Sequence, residues 1–112
     1  MKATFCIISA ITSFLAITLA GPAYSEEAEL ISAGRELISK HCSRCHAVAT
    51  DDVSKHPQAP AFRTLGKRYS VESLEEALAE GIFTGHPDMP EFQFQPPEIA
   101  AVIAYLRSIQ QK

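Results

Sequence analysis

The stretch that decides the fold is Cys42-Ser43-Arg44-Cys45-His46, a Cys-x-x-Cys-His motif. Two thiols three residues apart on a turn can bond covalently to the two vinyl groups along one edge of a haem. The next residue can then present its imidazole to the iron. This spacing is the attachment signature of c-type haem. The motif therefore predicts one haem c, covalently attached through Cys42 and Cys45, with His46 as an iron ligand.

Three other interpretations of the motif are open on the residues alone. A disulfide between the two cysteines is possible in an exported protein, but it gives no role to His46. A redox pair of the thioredoxin type needs a strand followed by a helix, and no such pattern surrounds the motif. A zinc site needs ligands beyond the two thiolates. His41 and His56 could join His46 as such ligands, although no second cysteine pair is present.

The N-terminal segment has the pattern of a secretory signal peptide. Lys2 precedes the uncharged, mostly apolar residues 3–20, and small residues follow. We expect cleavage after Ser25, which makes residues 1–25 a signal peptide and leaves residues 26–112 as the mature domain. The alternative is a retained membrane anchor, because an uncharged segment of this length is at the lower limit for spanning a bilayer.

Length and charge exclude several classes of protein. The chain has 112 residues, with 10 Lys and Arg against 13 Asp and Glu and a net charge of −3 at pH 7. This length allows one domain at most, which rules out a multidomain enzyme. The acidic balance argues against nucleic-acid binding. A domain this small buries only a modest share of its surface, so we expect a bound group to complete its core.

Apolar periodicity predicts three helices and no strands. The first helix covers about residues 26–40, the second begins near Ser70 and ends at Gly81, and the third begins at Pro96. Gly34 lies on the apolar stripe of the first helix, where a glycine costs up to about 1 kcal/mol relative to alanine. A glycine at this position is explained if another helix crosses closely there.

Two long irregular stretches, at about residues 47–69 and 83–95, connect these helices. Loops of this length in so small a domain are expected only where they enclose something. The second stretch contains Met89, the only methionine of the predicted mature chain, in a proline-flanked loop. A thioether opposite an imidazole fills both axial positions of a haem iron and raises its reduction potential. We therefore expect Met89 as the second iron ligand, with His86 as the alternative.

Together these features resemble a small class I cytochrome c, a monohaem electron carrier, over essentially the whole mature chain. The resemblance implies an all-α, cytochrome c-like fold with about three main helices and long loops wrapped around the haem. It implies that the first helix crosses the last helix at Gly34, beside Tyr105. It also implies that the backbone carbonyl of Pro60 holds the imidazole of His46.

The segment around Pro60 departs from the family pattern, because Ala59 and Phe62 stand where the family has Gly and Leu. The haem that the resemblance implies also carries negatively charged propionates. Cations and hydroxyl groups offset such charge, so Arg63, Arg68 and Tyr69 are candidate partners for them.

On this basis we expect a periplasmic one-electron carrier that is not an enzyme, since no nucleophile or acid–base pair stands out in the sequence. Its expected partners are redox proteins such as a dehydrogenase, reductase or oxidase. Neither nucleic acid nor, once the signal is cleaved, stable membrane insertion is expected. Two alternatives are a permanently bound electron-entry subunit of a dehydrogenase or oxidase complex, and a haem-based ligand-binding or sensor protein with a labile distal ligand.

Overall fold

The computed structural model describes residues 22–83 and 85–111. Over these residues the protein is all-α, as predicted, with α1 at Pro22–Cys42, α2 at Leu74–Glu80 and α3 at Pro96–Ile109. Most of the predicted signal peptide lies outside the described residues. Among the described helices, none is both long enough and apolar enough to cross a bilayer.

Helix α1 begins at Pro22, about one turn before the predicted start near Glu26. Proline is tolerated in a first helical turn, where its missing N–H would have no partner. The hydroxyl of Ser25 donates a hydrogen bond of 2.7 Å to the carbonyl of Pro22 within this turn. Helix α1 ends at Cys42, so it delivers the chain directly to the Cys-x-x-Cys-His motif.

The crossing of α1 and α3 is the most extensive helix–helix contact in the described part of the chain. Gly34 and Ile38 are the buried residues of α1. A Cβ at Gly34 would lie 1.9 Å from the carbonyl oxygen of Ala101 and 2.9 Å from Cβ of Tyr105. Gly34 is therefore at the point of closest approach to α3, beside Tyr105.

The second predicted helix is divided into two parts. A 3-10 segment at Val71–Ser73 comes first, and α2 follows it directly. Ser70 makes no side-chain capping bond to a backbone amide, because its hydroxyl donates to the carboxylate of Glu72. At the other end, Gly81 closes α2 with a φ of 110°, a left-handed backbone that glycine adopts at low cost.

The core is a single cluster of buried apolar side chains centred on α3. Helix α3 starts with a capping box in which the amide of Gln95 donates to the carboxylate of Glu98 at 2.8 Å. A second 3-10 segment, Phe62–Lys67, adds Leu65 to the core. The buried members of the cluster are Ile38, Leu65, Val71, Leu78, Phe94, Ile99, Val102, Ile103, Tyr105, Leu106 and Ile109.

Candidate functional site

A cavity of about 740 Å³ lies between the helices and the two long loops. This volume is within the range of about 300–1,000 Å³ that is typical of small-molecule and cofactor sites. Much of its wall is apolar and comes from α1, α2, α3 and the segments between them. The apolar wall residues include Ile38, Phe62, Leu65, Leu74, Leu78, Ile82, Phe92, Phe94, Val102 and Leu106.

All five predicted site residues line this one cavity. They are Cys42, Cys45, His46, Pro60 and Met89. They come from the end of α1, from the loop that follows it and from the loop before α3. The fold thus brings together residues that are far apart in the sequence.

The Cys-x-x-Cys-His motif forms a turn at the C-terminus of α1. The backbone amides of Cys45 and His46 both donate to the carbonyl of Cys42, at 3.1 and 2.9 Å. Both thiols are free and half-buried. Burial raises the pKa of the Cys42 thiol to about 11. Reactive thiols of redox pairs have a lowered pKa, so this environment argues against a thioredoxin-like dithiol.

The imidazole of His46 is held in one orientation by two contacts. Its Nδ1 lies 2.8 Å from the carbonyl oxygen of Pro60, and its ring packs on Phe62 with centroids 4.6 Å apart. A carbonyl only accepts, so Nδ1 must be the donor, and the neutral ring then keeps a lone pair on Nε2. Such a backbone partner fixes the tautomer of a ligating histidine and increases its basicity. This contact leaves Nε2 of His46 available to a metal ion.

Met89 and His86 lie on the same loop, and both line the cavity. The amide of Met89 donates to the carbonyl of His86 at 3.1 Å. Both ring nitrogens of His86 take part in hydrogen bonds. Nε2 contacts the amide oxygen of Gln58, and Nδ1 accepts the backbone N–H of Asp88 at 3.3 Å. Binding of a metal through Nε2 of His86 would break its contact with Gln58.

The three candidate propionate partners differ in where they lie relative to the cavity. Arg63 turns towards the loop after the motif, where its Nη1 donates to the carbonyl of Asp52 at 2.8 Å and lies 3.4 Å from the Asp52 carboxylate. That carboxylate also accepts the amides of Val48 and Ala49, at 2.8 and 2.9 Å. Arg63 thus supports a turn, and it is not among the residues that line the cavity.

Of the other two candidates, Tyr69 lines the cavity and Arg68 does not. The structure adds polar wall residues that sequence reasoning did not assign to the cavity. These are His41, Arg44, His56, Gln58 and Asp88. Arg44 could have been assigned to the cavity from its place within the motif. His41 and His56 were considered only as alternative zinc ligands. Gln58 and Asp88 offered no signal, because their inclusion depends on the path of the loops.

Comparisons with known proteins agree on one family. The cytochrome c family profile matches residues 31–110. Cytochrome c-552 of Bradyrhizobium diazoefficiens is 28% identical over 104 residues, covering 93% of this chain and 90% of that protein. Cytochrome c6 of Picosynechococcus sp. is 33% identical over 91 residues, covering 76% of this chain and 75% of that protein. No solved structure gives a significant match.

Proposed function

The chain belongs to the cytochrome c family, and from this premise we propose that it is a periplasmic electron carrier whose haem iron is bound by His46 and Met89. Membership of the family means that the protein is a monohaem electron carrier with covalently bound haem c. The periplasmic location and the identity of the two axial ligands are the parts that go beyond the family.

The described residues fit a haem. The cavity has the volume of a cofactor site and a largely apolar wall, as a flat apolar macrocycle requires. Two free thiols stand close together at the end of α1, and the imidazole of His46 follows them directly. When bound, the haem supplies one-electron chemistry between ferrous and ferric iron, while the protein supplies orientation and environment.

The observation that carries the proposal is the hydrogen bond of 2.8 Å between Nδ1 of His46 and the carbonyl of Pro60. It leaves Nε2 free to bind iron and prevents the ring from turning away. This geometry supports His46 as the permanent axial ligand.

Met89 is favoured over His86 as the second axial ligand. Binding of iron through Nε2 of His86 would require this nitrogen to give up its contact with Gln58. Met89 lies half-buried in the cavity wall on the same loop. A thioether and an imidazole together fill both axial positions and raise the reduction potential. Filled positions keep oxygen and peroxide from the iron, which supports electron transfer as opposed to catalysis.

The expected partners are redox proteins such as a dehydrogenase, reductase or oxidase, which a carrier meets through a small, transient contact. The periplasmic location is supported by the signal-peptide pattern of residues 1–25. Its test is the N-terminal sequence and mass of the protein recovered from the periplasm. A mature chain that starts at Glu26 is expected, and a chain that retains residues 1–25 would contradict cleavage.

Absorption spectroscopy of the haem-loaded protein tests the axial ligands. We expect a low-spin ferric spectrum with the weak near-infrared charge-transfer band of iron bound to a thioether. Met89→Ala should abolish this band, whereas His86→Ala, the matched control on the same loop, should retain it. A low-spin spectrum that lacks the band and is lost in His86→Ala would establish bis-histidine ligation instead. A high-spin spectrum, together with binding of carbon monoxide by the reduced protein, would favour a sensor.

A further inference from the structure

Three metal-ligating side chains meet in the cavity wall apart from the proposed iron ligands. One ligand atom each of His56, His86 and Asp88 lies within 4.8 Å of the other two. The two histidines are half-buried and Asp88 is exposed, so solvent reaches the cluster. We propose that His56, His86 and Asp88 form a binding site for a divalent transition-metal ion, with Zn²⁺ as the ion that best fits the donors.

The spacing of His56 and Asp88 fits the proposed ion. Nε2 of His56 lies 3.3 Å from Oδ2 of Asp88. Ligands about 2.0–2.1 Å from a tetrahedral zinc ion lie about 3.3 Å from each other. This pair therefore has the required separation already. Asp88 also supplies a negative charge that offsets part of the charge of the ion.

The chemistry of the donors selects the class of metal. Imidazole nitrogen suits zinc, copper and nickel, whereas magnesium and calcium prefer a full set of oxygen ligands. Two histidines and one carboxylate, with water in the fourth position, are an established zinc donor set. The cluster therefore favours Zn²⁺ over Mg²⁺ or Ca²⁺.

One hydrogen bond of His86, from Nε2 to Gln58, would orient the ring as a ligand at this site. Its Nδ1 carries the lone pair that accepts the backbone N–H of Asp88 at 3.3 Å, and zinc bound at Nδ1 would replace this long contact. Its Nε2 contacts the side-chain oxygen of Gln58 and donates to it. Ligating histidines commonly have their second ring nitrogen held by such an acceptor. We therefore assign Nδ1 of His86 as the ligand atom, with Gln58 orienting the ring.

His56 requires one change of tautomer. Its Nδ1 accepts the amide of Gln58 at 3.2 Å, so its proton is on Nε2 and faces Asp88. When zinc binds Nε2, the proton moves to Nδ1 and the contact with the Gln58 amide is lost. That contact is long and joins residues only two positions apart. The ring stays neutral, and no net proton is released.

A metal ion at this position would join two loops of the cavity. His56 belongs to the loop after the motif, and His86 and Asp88 belong to the loop that carries Met89. The inference rests on the proposed function in one respect, since it requires His86 to be away from the iron. The site would hold the Met89 loop against the first loop without touching the iron.

The test is zinc binding by untagged, haem-loaded protein in equilibrium dialysis, with zinc and haem both quantified. We expect one zinc per haem in the wild type. His56→Gln and Asp88→Asn should each weaken binding by at least about tenfold, since even changes to residues that only support metal ligands cost about 10–100-fold. Asp51→Asn is the matched control, because it removes an exposed carboxylate outside the cluster and should leave zinc affinity unchanged.

Two results would overturn the proposal. One is the absence of stoichiometric zinc binding by the wild type. The other is equal zinc affinity in the wild type, His56→Gln and Asp88→Asn, which would place the ion elsewhere. The visible spectrum of each sample reports haem attachment and iron ligation independently. Failure of the zinc site with an intact iron–thioether band is thus distinguishable from failure of the proposed ligation.

Discussion

Gly34 of α1 faces the backbone carbonyl of Ala101 in α3 so closely that a Cβ atom would lie 1.9 Å from the carbonyl oxygen. Real Cβ atoms do not approach a carbonyl oxygen to this distance, so the two helices can cross here only over a glycine. The crossing matters for the site, because α1 ends at Cys42 and its contact with α3 therefore sets where the motif begins.

Replacement of Gly34 by alanine should therefore destabilise the protein, although alanine is the better helix former. A clash with backbone cannot be relieved by moving a side chain, so the helices must separate. We expect the free energy of unfolding to fall by about 1–3 kcal/mol, measured by denaturant titration of the haem-loaded protein. Ser32→Ala, on the exposed face of α1, should change it by less than about 0.5 kcal/mol. Equal stability of both variants would show that the crossing tolerates a methyl group.

The hydroxyl of Tyr105 connects α3 to the loop after the motif. It donates a hydrogen bond of 2.7 Å to the carbonyl of Val48. Tyr105→Phe keeps the ring but removes this donor. We expect a loss of about 0.5–1.5 kcal/mol in the free energy of unfolding at neutral pH. Thermal and denaturant unfolding measure it. An unchanged value would mean that water replaces the phenol at no cost.

Tyr105 should also contribute to the alkaline limit of stability. Burial raises the pKa of Tyr105 above its ordinary value of 10.0, with Asp52 adding to the rise and Arg35 opposing it. A folded-state pKa above the unfolded one stabilises the native state below pH 10, and this contribution is lost as the pH rises further. The wild type should therefore lose stability above pH 10 more steeply than Tyr105→Phe. Parallel melting curves for the two proteins would contradict this.

Glu72 should contribute to the loss of stability at low pH, because its pKa is shifted downwards in the folded protein. Its pKa is lowered from 4.5 to about 2, chiefly by the hydrogen bond from the Ser70 hydroxyl and also by Arg107 of α3, whose Nε lies 2.9 Å away. The stabilisation is present above pH 4.5 and is lost as the pH falls towards 2.

The melting temperature of the wild type should thus exceed that of Glu72→Gln at pH 6. The difference should shrink between pH 4.5 and 2. The contribution is small, because Glu72 is exposed to solvent and screened. Glu76→Gln is the matched control, since Glu76 is an exposed residue of α2 that makes no ion pair in the described part of the chain. A pH-independent difference for Glu72→Gln would argue against the pairing.

Removal of the haem should remove much of the fold. Cys42→Ala/Cys45→Ala abolishes both attachment points, and the apolar walls of a cavity of about 740 Å³ then face water. Because ligand binding to the native state adds to its stability, we expect the haem-free chain to lose cooperative unfolding. Near-UV circular dichroism and thermal melts measure this. A haem-free chain that melts like the haem-loaded protein would show that the helices alone hold the fold.

The helices could be predicted from the sequence because their signals are local. Apolar residues recur every three or four positions along α3, and Gly81 ends α2 as expected. The start of α1 at Pro22 and the 3-10 segment before α2 were not predicted. Helix ends depend on hydrogen bonds of similar energy that compete for the same group. The Ser70 hydroxyl, for example, donates to the carboxylate of Glu72 and does not cap a backbone amide.

The sequence by itself determined the chemistry of this protein, because Cys-x-x-Cys-His places two thiols and an imidazole on one turn whatever surrounds it. It also pointed to the close helix crossing through Gly34. Only the tertiary structure decided that Arg63 holds the Asp52 turn and that His56 meets Asp88. These pairs form across loops that lack a periodic signal, and the path of such loops is set by packing against the rest of the fold.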